Sequence, residues 1–189
     1  MESHQSFAEV RRRKTQKSKM KFLIFALCVV AIVADPHWVT LDADEVALVK
    51  DSWHKVYHNE VDILYFVFKA HPDIQAKFSA FAGKDLDTIK DTAKFALHAG
   101  RIVNFFTEYI ELLGQENTQA AIKTILNEMG HNHADRGVSK EQFNEFKNSL
   151  FDYLKGQVSW GDNVEHAWND AFDKMYYVIF SNIDGHPVQ

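Results

Sequence analysis

Cysteine is almost missing from this chain: its 189 residues include one, Cys28. A single thiol can form no intrachain disulfide and no multi-thiolate metal site, so a folded body must be held by its core alone. Proline is nearly as scarce. Of three, Pro36 and Pro187 lie near the ends and only Pro72 interrupts the middle, which leaves long helices free to run. Glycine numbers eight, and no Gly/Ser linker, internal repeat or low-complexity tract divides the sequence. A hydrophobic content of 46% argues against a disordered chain and suffices for one domain with a sizeable core.

No apolar run reaches the about 20 residues that an ordinary membrane-spanning helix needs. The run at residues 22–34, FLIFALCVVAIVA, has 13 residues, follows Lys21 and ends in small side chains before Asp35 and Pro36. It has the size of a secretory signal core, so residues 20–34 read as a signal peptide and residues 35–189 as a single secreted domain. Residues 1–19 are polar and basic, with Arg11, Arg12, Arg13 and Lys14 in a row. They read as a disordered, solvated extension upstream of an expected start at Met20. Residues 35–189 carry 14 basic and 24 acidic side chains, a formal net charge of −10. Such a surface repels phosphate backbones and anionic lipid, which argues against nucleic-acid partners and against membrane association after signal removal. A soluble carrier or enzyme remains.

The secreted part reads as helices throughout, with no convincing hairpin signal. A capping box at Asp42 and Glu45 opens the first, in which Val46, Val49, Trp53 and Val56 recur at helical spacing. Residues 60–70 are apolar almost all round and predict a helix buried on most sides; His71 and Pro72 end it, and Pro72 fits the first turn of a short helix. Phe78 and Phe81 fall in a loop. A long helix runs from Asp91 to a C-terminal cap at Gly114, and another covers residues 117–133. Ser139 and Gln142 form a second capping box ahead of Phe143, Phe146, Leu150 and Leu154. Residues 162–165, DNVE, are expected to cap the last helix, striped by Trp168, Phe172, Met175, Ile179 and Ile183.

Two of these helices place a histidine on the apolar face. Phe95, His98, Ile102 and Phe105 share one stripe, as do Ile122, Ile125, Leu126, Met129 and His133 on another helix. Burying an imidazole costs free energy without a partner, so each ring either hydrogen-bonds a core group or faces a ligand. Together with the aromatic loop, the pair points to a ligand or metal held between the helices. A flat, apolar iron porphyrin suits the set: one neutral imidazole can ligate iron, and the other can donate to a small gas on the open side. His131, rotated by about 200° from His133, should face outward. His54, His58 and His166 read as surface residues.

Several stretches, taken in order, resemble the globin family and within it the secreted larval haemoglobins of midges, over residues 41–183. They are LDADEVALVKDSW, ILYFVFKAHPDIQAKFSAFAGKDL, FALHAGRIV around His98 and HADRGV from His133, with 35 positions between the two histidines. The resemblance implies an all-α globin fold, six to eight helices around a haem pocket. It implies His133 as the proximal ligand of haem b (iron protoporphyrin IX) iron and His98 as the distal residue stabilising O2. Phe78 becomes the phenylalanine packed on haem, with Leu64, Ile102, Met129 and Val138 as apolar pocket residues. Arg101 resembles an arginine at the haem edge, placed to pair with a propionate or reach the ligand.

The function so implied is reversible O2 binding for transport or storage, without enzymatic turnover, in haemolymph; CO and NO would bind too. Some midge relatives form homodimers. A globin with peroxidase, nitric-oxide dioxygenase or redox-sensing activity is the alternative, and a haem-free helical carrier of an apolar ligand is a third reading.

Overall fold

The computed structural model describes residues 38–188, all within the unit Ala34–Gln189. The expected basic extension and signal peptide lie outside the described residues. Among those described there are eight helices and no strands: α1 (Ala43–Trp53), α2 (Glu60–Ala70), α3 (Pro72–Ala76), α4 (Leu86–Ile89), α5 (Ala93–Leu112), α6 (Gln119–Ala134), α7 (Lys140–Gln157) and α8 (Asp162–Ile183). None of them is long and apolar enough to cross a membrane.

Local chemistry sets the helix ends. Asp42 accepts the backbone N–H groups of Asp44 and Glu45, while the Glu45 carboxylate accepts from Asp42 N at 2.8 Å, closing the expected capping box. Ser139 and Gln142 make the same reciprocal pair at the start of α7. Pro72 sits at the first position of α3, where its missing N–H costs nothing.

Two expected boundaries differ. The long helix begins at Ala93, because the Thr92 hydroxyl accepts from Phe95 N, and the preceding turn forms the separate helix α4 under its own cap, Asp85. At α8 the N-cap is Gly161, with no side-chain cap. Glu165, expected to help cap this helix, instead accepts the Trp160 indole N–H at 2.8 Å and pairs with Lys155 at 3.5 Å.

Two hydrophobic clusters form. The larger gathers Trp53, Phe106, Trp168 and Phe172 with α1, α5, α6, α7 and α8, and its polar atoms are satisfied inside it. The Trp168 indole donates to Ser52 Oγ at 2.8 Å, Trp53 to Thr107 Oγ1 at 2.9 Å, and Tyr109 Oη to the Ala171 carbonyl at 2.6 Å. The smaller cluster packs Leu64, Phe68, Phe81 and Phe95 beneath the loop after α3. Helix α2 joins it by Ile63, Leu64, Val67 and Phe68 but is not buried all round: Phe66 is 38% exposed and lies edge-on to Tyr153. Ile102 and Phe146 pack against both clusters. The seam they mark is where the interior opens.

Candidate functional site

A cavity of about 670 Å³ occupies that seam, walled by α5, α6, α7, α8 and the loop after α3. Its size falls in the range of roughly 300–1,000 Å³ usual for small-molecule and cofactor sites. The lining is mostly apolar and aromatic; His98 and His133 face into it, and charged side chains such as Arg101, Glu108 and Glu128 also contribute to it.

Helix α6 brings His133 to the wall as its next-to-last residue, just before Ala134. There the left-handed Gly137 (φ +65°) reverses the chain, and Val138 N–H returns to the His133 carbonyl at 3.1 Å. His133 Nδ1 lies 2.9 Å from the Met129 carbonyl oxygen. A carbonyl can only accept, so Nδ1 carries the proton and Nε2 keeps its lone pair. Nε2 has no protein hydrogen-bond partner among the described residues. Phe143 packs against the ring at 5.3 Å. Burial holds this imidazole's pKa below the ordinary 6.5, against the pull of the Met129 carbonyl, with the Arg136 charge adding to the depression. A neutral ring fixed in one tautomer with a free nitrogen is what a metal ligand requires.

His98, on α5, is half-buried in the same cavity. Phe78 and Phe81 stand nearly perpendicular to its ring, at 4.7 and 5.7 Å. It makes no hydrogen bond within the described structure. Burial first, then the charges of Arg101 and His133, lower its pKa, so at neutral pH the ring holds one N–H to donate.

Of the other residues singled out in the sequence, Phe78, Arg101, Ile102, Met129 and Val138 line the cavity as well. Leu64 does not. It is 2% exposed inside the smaller cluster, and the cavity wall on that side is formed by Phe78, Phe81 and Ile102. The histidine His131 points away, its side chain 72% exposed and 3.6 Å from Asp135, so no HxH site forms with His133.

Sequence reasoning missed Phe146, Phe172, Met175 and Ile179 as cavity residues. Their stripes on α7 and α8 carry the same signal as any core face. It also missed Lys77 and Arg136, which bring positive charge to the cavity beside Arg101; Lys77 Nζ donates to the Gly137 carbonyl at 2.8 Å and Arg136 to that of Asn132.

The globin family model matches residues 61–179. Globin CTT-X of Chironomus thummi thummi is 55% identical over 150 residues, covering 79% of this chain and 99% of the relative. Globin CTT-Z of Chironomus thummi piger is 54% identical over 159 residues, 84% of this chain and 95% of the relative. Among solved structures, a haemoglobin component (TA-VII) from Tokunagayusurika akamusi superposes with a TM-score of 0.75 at 48% identity, over 77% of this chain and 98% of that one.

Proposed function

The chain belongs to the globin family, and from that premise we propose that it is a haem protein that binds O2 reversibly for transport or storage. The observation that carries the reading is the His133 Nε2 lone pair, free of protein partners on the wall of an apolar cavity that also holds His98.

The residues present fit haem b. The cavity is large and apolar enough for a porphyrin, one imidazole is pre-set as a neutral ligand, and Arg101, Lys77 and Arg136 offer cations to the two propionates. Haem, when bound, would supply a ferrous iron able to bind O2, CO or NO. His133 would hold the group through Nε2, and its Nδ1–H bond to Met129 fixes the ring's rotation. His98 donates its single N–H toward a polarised diatomic ligand, an interaction that favours O2 over apolar CO. Phe78, Phe81 and Phe143 exclude water around the two imidazoles, which slows oxidation.

We also infer export: the apolar run at residues 22–34 and the acidic, cysteine-free remainder suit a protein dissolved in body fluid. N-terminal sequencing of protein from expressing cells' medium checks this, with a start close to Asp35 expected.

Replacing His133 by Gly tests the ligand assignment. The variant is expected to lose haem rapidly to an acceptor protein and to regain a five-coordinate ferrous spectrum when free imidazole is added. Unchanged haem retention and spectrum would remove His133 from the role.

A further inference from the structure

At the corner between α2 and α3 the chain reads His71-Pro72-Asp73, and Glu145 of α7 faces it. One ligating atom from each of His71, Asp73 and Glu145 lies within 4.8 Å of the other two. His71 Nδ1 and Glu145 Oε2 are 3.7 Å apart, too far for a hydrogen bond. That spacing is close to the about 3.4 Å separating two ligands of a tetrahedral zinc with bonds of about 2.1 Å.

Two further features point to a cation. Glu145 Oε2 is buried without a hydrogen-bond partner, alone in this among the described side chains. Native structures satisfy such atoms with water or an ion. Asp73 is oriented from behind: its Oδ2 accepts from Gln142 Nε2 at 3.0 Å, and Gln142 is itself fixed by its capping box with Ser139. An outer partner holding a ligating carboxylate in place is the usual support of a metal site. The backbone is set too, because Pro72 ends α2 at His71 and starts α3, so the two ligands on either side of it keep a fixed spacing.

We propose that His71, Asp73 and Glu145 form a binding site for a divalent cation of the zinc class, separate from the central cavity. One imidazole nitrogen and two carboxylate oxygens are a ligand set that zinc accepts, and three protein ligands leave a fourth position for water. The cation ties the α2–α3 corner to α7. Ile74 and Gln142, neighbours of the ligands, also line the cavity, so occupancy stiffens one of its walls. The other triad of this kind, Glu45, His166 and Asp170, lacks the feature that singles out Glu145: none of its oxygens is buried without a hydrogen-bond partner, and its His166 side chain is 70% exposed.

The test is calorimetric titration of zinc chloride into the haem-loaded protein freed of other divalent cations, alongside thermal unfolding with and without zinc. Gln142→Ala is expected to weaken binding about 10–100-fold, and His71→Ala and Glu145→Gln by more. His166→Ala is expected to leave the affinity unchanged. Zinc is expected to raise the unfolding temperature of the parent and not that of Glu145→Gln, whose near-identical shape keeps the fold intact. Absence of zinc uptake by the parent overturns the proposal. So does equal affinity in His71→Ala and Glu145→Gln, or a loss confined to His166→Ala.

Discussion

His133 Nδ1 donates to the carbonyl of Met129, one helical turn earlier, at 2.9 Å. This bond settles which nitrogen of the ring is free, and the rest of the proposed chemistry depends on it. Helix α6 supplies both partners, so the orientation is built in before any ligand arrives.

The His98 imidazole has aromatic neighbours and no competing hydrogen bond, so its N–H is available to a polarised ligand. His98→Leu is expected to speed O2 dissociation by roughly 10–100-fold, the equivalent of a hydrogen bond worth about 1.5–3 kcal/mol. CO dissociation should change far less. Stopped-flow measurement of both rates decides the matter, and equal changes for the two gases would argue against a hydrogen-bonding role.

Acid should destabilise the haem-free protein through the same residue. The unfolded chain's histidine titrates near 6.5, whereas burial, then Arg101 and His133, hold His98 below that value in the fold. Below pH 6.5 the unfolded state therefore binds a proton that the folded state refuses. The contribution of His98 to stability is complete above pH 6.5 and is lost as pH falls toward its folded pKa. Urea midpoints measured from pH 7 to pH 5 should fall, and should fall less steeply for His98→Gln. Parallel slopes in the two proteins would sink this attribution.

At Gly130 α6 and α8 approach closely. A Cβ placed there would lie 2.8 Å from Asn182 Cβ and 3.0 Å from the Ile179 carbonyl oxygen, and the backbone oxygen cannot step aside as a flexible side chain could. Gly130→Ala, a change that favours helix intrinsically, is nonetheless expected to destabilise the fold by about 1–3 kcal/mol. Chemical denaturation measures it, and a gain in stability would show that the two helices can part without cost.

The helices were legible wherever the signal is local. The capping boxes at Asp42 and Ser139, the break at Pro72 and the inward stripes of α1, α5 and α6 all rest on residues within a few positions of one another. What escaped depends on partners distant in sequence. Glu165 looked like a cap residue, but Trp160 and Lys155 claim its carboxylate. Leu64 looked like a pocket residue by family likeness; it lies buried in the smaller cluster, whose Phe81 rather than Leu64 reaches the cavity wall. Phe146 and Phe172 carry the periodicity of core residues, and no pattern within one helix separates a face that meets protein from one that meets a cavity. The close approach at Gly130 was equally invisible, since nothing around it in sequence names Asn182.

Reversible O2 binding is decided by the visible absorption spectrum of the haem-loaded, ferrous protein, recorded without oxygen and again after oxygen is admitted. A five-coordinate spectrum, with His133 as the protein ligand, is expected to convert to an oxygenated form and to return when oxygen is withdrawn. A six-coordinate spectrum before oxygen, immediate oxidation on exposure, or failure to take up haem in a one-to-one ratio would contradict it.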